Sequence, residues 1–280
     1  MIRRFVAGTA MATGLALALT GCLGEAKEKA GEAGGAIKMS AAQMLGKAAE
    51  KTGQNDTFKT DMTVDSKLQQ GAMKMRTVME TRLRPEVAMK MNVDPMTVAG
   101  QNIPGYEARL IGSTMYLNMP ALASANGGKP WSRISLNDMG GQMGGLNLGK
   151  MLDQAKQQSP AEQTRMFTAS KDVREVGTET VGGVKTRHFT GTVTPQEALA
   201  KLDPENRKAM ESLFQQIGGK AYAFDLWVGD DDLPRKVITT MDTSMGQVTS
   251  TAIYSDFGKP VNVVAPPEAK VGDFKMPSMN

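Results

Sequence analysis

The sequence predicts an α+β fold: a strongly curved antiparallel sheet, a half barrel of roughly ten strands, with helices packed on its concave face. Three observations predict it. Long segments alternate apolar and polar residues, as a sheet with one dry and one wet face requires. Short turn signals join most of those segments. Helical stretches with capping residues interrupt the strands, and the dry face needs a cover.

Each element has its own signal. Ser40 is placed to cap a helix, with Gln43 completing a capping box. Met44, Leu45, Ala48 and Ala49 share one side of that helix before Gly53 ends it. Residues 58 to 68 then alternate. Phe58, Thr60, Met62, Val64, Ser66 and Leu68 face one way, and Lys59, Asp61, Thr63, Asp65 and Lys67 the other. After the Gln70-Gly71 turn, Met73, Met75, Thr77, Met79, Thr81 and Leu83 point inward on a second strand, which Pro85 closes. Val87, Met89, Met91 and Val93 mark a third. A hairpin around Gly112-Ser113 joins 107–111 to 114–119, and 131–136 is a further short strand.

The middle of the chain changes character. Residues 138 to 149 are rich in Gly, and 150–158 read as helical. Pro160 sits where a new helix can start, running to about Thr168. Strands resume at 173–176 and, after Gly182-Gly183, at 184–193. Thr194-Pro195 and Asp203-Pro204 each start a helix, the second stopping at Gly218. Residues 221–228 place Tyr222, Phe224, Leu226 and Val228 on one face. Strands at 234–241 and 247–254 follow, then a proline-bearing extended tail over 261–267.

The N-terminus carries the most specific motif. Arg3 and Arg4 precede an apolar run from Phe5 to Leu19, then Leu19-Thr20-Gly21-Cys22. This is the layout of a secretory signal, and the run is short for a membrane span. The four residues resemble a bacterial lipobox, which implies lipidation of Cys22 and cleavage just before it. The expected products are a signal peptide (1–21), a lipidated cysteine with a flexible tether (22–38) and a folded domain (39–280). The chain would then sit outside the cytoplasm, anchored to the outer face of the cell membrane. Arg3-Arg4 lacks the usual flanking residues of a twin-arginine signal, which favours ordinary secretion. Cys22 is the only cysteine, so no internal disulfide is available. The tether is Gly, Ala, Glu and Lys with almost no apolar periodicity. Its 16 or so residues would reach roughly 50 Å when extended.

Composition narrows the partners. Removing the first 21 of 280 residues leaves 259, and loss of Arg3 and Arg4 takes the formal charge from +4 to +2. With no concentrated Lys/Arg block, nucleic acid is not an expected partner. Methionine is abundant, at 22 residues. The candidate apolar lining is Met62, Val64, Met73, Met75, Met79, Met89, Met91, Met115, Leu117, Phe224 and Leu226. Methionine adapts to irregular apolar shapes, so this face suits either a cavity for acyl chains or the filler of an ordinary core.

Other motifs point to no catalysis, metal or cofactor. Met73-x-Met75 and Met89-x-Met91 would suit Cu(I), but residues two apart on a strand lie roughly 6.5–7 Å apart and fit one ion poorly. His188, the only histidine, has no nucleophile motif to serve. Asp230-Asp231-Asp232 has the wrong spacing for an EF-hand and reads as a hairpin tip. Residues 140–149 lack the Lys-Ser/Thr of a phosphate loop and read as a flexible loop or a flap.

The order of elements carries a resemblance. "EARLIGSTMYLNMP" (107–120), "DVREVGTETVGGVKTRHFTGTV" (172–193), "FDLWVGDDDLPRKV" (224–237) and "YSDFGKPVNVVAPP" (254–267) follow the lipobox, tether and capped helix. Together they resemble the LppX/LprG-type lipoproteins of actinobacteria, which are akin to the LolA/LolB lipoprotein carriers. The resemblance implies a half barrel that holds an acylated lipid or glycolipid, such as one bearing palmitate, under its helices. It also implies a non-enzymatic role in lipid binding or transport across the envelope, and an export or transport protein that loads or receives the lipid. The reading from another class is an envelope scaffold or sensor with a filled core.

Overall fold

The computed structural model describes residues 39–274, apart from 69–70, 99, 121–122, 124–125, 137–158, 201–206, 208–210, 212–217 and 219. The expected signal, Cys22 and its tether, the Gly-rich segment 140–149, the helix at 150–158 and most of the helix after Asp203-Pro204 lie outside the described residues.

Helix α1 spans Ala41–Gly53 and starts as its sequence requires. The Ser40 side chain accepts from the Gln43 backbone N–H, and the Gln43 side chain returns a bond to the Ser40 N–H. Strands β1 (Thr57–Leu68), β2 (Gly71–Arg82) and β3 (Ala88–Val93) follow. A small two-stranded sheet of β4 (Met96–Val98) and β5 (Gln101–Ile103) interrupts the meander. The sheet continues with β6 (Tyr106–Ile111), β7 (Thr114–Asn118) and β8 (Trp131–Ser135). Helix α2 (Pro160–Phe167) has Ser159 as its cap and proline in its first turn. Then come β9 (Arg174–Val181), β10 (Val184–Val193) and the one-turn helix α3 (Pro195–Leu199), capped by a Thr194/Glu197 box. Strands β11 (Tyr222–Gly229), β12 (Pro234–Thr243), β13 (Gly246–Ser255) and β14 (Val271–Asp273) complete the chain.

Among the described residues, twelve strands form one sheet in the order β14-β8-β7-β6-β3-β2-β1-β13-β12-β11-β10-β9. Every neighbouring pair is antiparallel except β14 with β8. The fold is therefore α+β, with a larger sheet than expected. The strands that sequence reading passed over are β4, β5 and β14. Each has three residues, too few to show alternation, and Pro95 and Pro104 flank the first two.

The sheet pairs its first and last thirds through β1 and β13, where Thr60 faces Tyr254 and Met62 faces Ala252. Beyond that seam the core is closed. Leu45 and Ala48 of α1 and Phe167 of α2 pack on Phe189, Phe224, Leu226, Val237 and Ala252. Phe167 stacks on Phe224 at 4.2 Å between ring centroids. Gly191 stands opposite Phe224 in the register and leaves room for that ring: a Cβ there would meet Phe224 Cε1 at 2.9 Å and Ser170 Oγ at 2.7 Å. The Tyr254 hydroxyl crosses the layer and donates to Gln163 Oε1 at 2.6 Å.

Candidate functional site

The registers place the expected lining residues row by row on one face. Directly paired residues in a sheet point the same way. One row runs Thr60, Met79, Met91, Ala108, Leu117, Ser132 across six strands. The next runs Phe58, Thr81, Met89, Leu110, Met115, Ile134. A third runs Met62, Thr77, Val93, Tyr106, and beyond it Val64 faces Met75 and Ser66 faces Met73. The face continues through the seam: Met62, Ala252, Val237, Leu226 and Phe189 form one row.

The eleven residues nevertheless divide. Phe224 and Leu226 are 0% exposed and belong to the core that α1 and α2 close. Met62, Val64, Met73, Met75, Met79, Met89, Met91, Met115 and Leu117 are all half-buried. Alternation alone shows which way a side chain points and not what lies above it, so sequence reasoning grouped the two sets.

No charged side chain stands in these rows. Across β1 to β8 charge is kept to the opposite face, where Arg76 bridges Asp61 at 2.7 Å and Asp94 at 3.3 Å, and Arg109 lies 4.6 Å over the Trp131 ring, whereas at the closed end Arg187 shares the face of Phe189 and lies 5.6 Å from its ring. The inner face thus offers thioethers, methyls and a few hydroxyls. Among the described residues of these rows there is no acid–base pair. Towards the edge of the face, the Tyr222 hydroxyl is buried without a hydrogen-bond partner. Burial and the nearby Glu197 carboxylate push that phenol's pKa up, so it stays a neutral donor.

The remaining motifs have structural places. His188 lies on the opposite face, stacked on Trp227 at 4.2 Å, with Nε2 2.8 Å from Asp225 and Nδ1 3.0 Å from Glu179. Asp230-Asp231-Asp232 forms a hairpin tip. Asp231 accepts from the Leu233 N–H and pairs with Arg235, while Asp232 takes a positive φ and pairs with Lys47 at 2.7 Å. A depression of about 340 Å³ is lined by Pro95, Met96, Thr97, Asn102, Ile103 and Pro104 of the β4–β5 hairpin and its flanks. None of the eleven expected lining residues borders it.

Known proteins place the architecture. No family model matches the chain. An uncharacterised 31.2 kDa protein of Streptomyces griseus is 34% identical over 173 residues, 60% of this chain and 56% of that protein. An inferred lipoprotein of Streptomyces coelicolor is 31% identical over 170 residues, 60% of this chain and 51% of its own length. The chain thus spans about half the length of the relatives it matches. Among solved structures, LprF from Mycobacterium bovis superposes with a TM-score of 0.51 at 16% identity, covering 81% of this chain and 96% of LprF. Mycobacterium tuberculosis lipoprotein LppX gives 0.43 at 15% identity, covering 80% and 98%. The chain has the LprF fold, and the resemblance read from its sequence holds at the level of architecture.

Proposed function

We propose that this protein is a membrane-anchored, extracytoplasmic lipoprotein that binds an acylated lipid or glycolipid on its methionine face. It carries or presents that lipid across the cell envelope. Residues 1–21 are its signal peptide, Cys22 its lipidated anchor, 22–38 its tether and 39–280 its lipid-binding domain. The reading rests on one observation above all: the dry face that α1 and α2 close at one end continues, uncharged, through rows whose methionines are half-buried, although Phe58, Thr60, Thr77, Thr81, Ala108 and Ile134 between them are buried.

Energetics support it. Each buried methylene contributes about 0.8 kcal/mol, so a 16-carbon chain would gain on the order of 10 kcal/mol before ordering costs. The role proposed is one of binding. A transport or export protein is the expected source or recipient of the cargo.

Native mass spectrometry of the protein purified from a related bacterium, with lipid extraction alongside, tests this. A co-purifying acylated species of defined mass is the expected result. A clean apo mass, unchanged after incubation with envelope lipids, would replace the carrier with a scaffold or sensor whose methionines only fill a core.

A further inference from the structure

The methionine rows have a chemical property that leucine rows of the same shape would lack. We infer that the face is an oxidation-sensitive modification site: peroxide converts its thioethers to sulfoxides and thereby unloads the acyl chain. The inference rests on the lipid-binding reading above and adds a control to the same site.

The geometry carries it. Met79 and Met91 stand directly opposite each other across β2 and β3. Met62 and Met89 are the diagonal neighbours of Met79 on either side, since Thr60 and Met91 are its direct partners. Diagonal neighbours lie within reach of long side chains, so these four thioethers form one patch. All four are half-buried, in contrast to the sealed Phe224 and Leu226, and hydrogen peroxide is an oxidant small enough to enter a partly covered face. The chain has a single cysteine, Cys22, and in the lipidated protein its sulfur is an acylglycerol thioether. No thiol in the mature chain would then compete for the oxidant.

The step balances simply. A sulfur lone pair attacks one peroxide oxygen, the O–O bond breaks, and the sulfur gains oxygen. The second oxygen leaves as water. Sulfur is oxidised by two electrons and peroxide reduced by two. The product is a polar, chiral side chain in place of a flexible apolar one. A sulfoxide oxygen facing an acyl chain loses its water without gaining a donor, so binding weakens. A methionine sulfoxide reductase drawing on a dithiol would restore the thioether, with the dithiol becoming a disulfide.

The test uses the full-length lipoprotein in mild detergent, exposed to graded hydrogen peroxide. Two quantities are followed: sulfoxide at each methionine by peptide mass mapping, and non-covalent acyl chains recovered by solvent extraction, which leaves the covalent anchor in place. Met245 and Met39, 52% and 43% exposed, serve as surface references. In loaded protein the references should oxidise first, with Met62, Met79, Met89 and Met91 following. In delipidated protein the four should oxidise at rates closer to the references. Bound lipid should fall by roughly half or more as the four convert. A Met79→Leu/Met91→Leu variant, scored against itself before peroxide, should lose a smaller fraction of its lipid. Lipid retained while all four are sulfoxides overturns the inference and leaves the carrier reading standing. So does resistance of the four in delipidated protein. Absence of any extractable acyl chain before peroxide overturns the carrier reading itself, and this inference with it.

Discussion

The two ends of the same sheet face are built from different side chains and finished differently. From β9 to β13 the face presents Phe189, Val193, Phe224, Leu226 and Val237, and α1 and α2 seal it to near-zero exposure. From β1 to β8 the same face presents Met62, Met73, Met75, Met79, Met89, Met91 and Met115, all half-buried, set among smaller or aromatic residues such as Thr60, Thr77, Ala108 and Phe58 that are buried. Aromatic and branched residues have few rotamers and suit one fixed partner. Methionine has three rotatable bonds and suits a changing one. The difference assigns stability to the first region and adaptability to the second.

The sharpest way to break that division is to damage the closed end. Phe224→Ala removes a ring stacked on Phe167 and should cost about 3–5 kcal/mol, read as a lower guanidinium midpoint. If Phe224 lined an adaptable cavity instead, the loss would be far smaller and would appear in lipid content. Gly191→Ala should cost about 1–3 kcal/mol, because its Cβ would press on Phe224 and Ser170. An unchanged midpoint would mean that the stack is loose enough to shift.

Met91→Trp probes the other end. Filling the face with a large rigid ring should abolish co-purifying lipid while moving stability by less than about 1 kcal/mol. In a filled core the same change would overpack and cost about 1–3 kcal/mol with no lipid to lose. Met75→Trp should behave in the same way, because Met75 shares that face two residues before Thr77.

Local rules made much of this legible in the sequence. The Ser40/Gln43 box, the proline starts of α2 and α3 and the strict alternation in β1, β2 and β11 are short-range signals, and each appears where it was read, while the Thr194/Glu197 box was an equally local signal that the reading missed. Pairings between distant segments were not legible. The β1–β13 seam joins residues 178 to 196 positions apart in the chain, from Leu68 with Gly246 to Lys59 with Ser255, and nothing local announces it. Strand β14 is similar, because its parallel register with β8 is held by Arg133 bonding to Glu268 and Asp273. For the same reason Phe224 and the methionines looked alike. Their shared face follows from the period of two, while the helix that covers only one of them is a tertiary fact.

One carboxylate ties the end of α2 to the sheet at the closed end, and it makes the smallest but most specific prediction. Asp172 follows α2 and accepts from the Ser170 hydroxyl at 2.7 Å and from the Thr192 N–H and hydroxyl of β10 at 2.8 Å each. These donors hold its pKa down to about 2, the Thr192 backbone bond contributing most. The folded state therefore binds that proton less readily than the unfolded chain. The resulting stabilisation is complete above the ordinary carboxyl value of 3.8 and is lost as pH falls towards about 2. Asp172→Asn should cost about 1 kcal/mol at neutral pH by weakening the bonds to Thr192 and Ser170. Its urea midpoint should also fall less steeply than that of the parent between those two pH values. Glu197 and Asp256, whose pKa values are also lowered, titrate in both proteins, so the difference between the two curves isolates Asp172. Parallel curves would show that the clasp does not hold α2 in solution, and that the closed end owes its seal to the core packing and the Tyr254–Gln163 bond.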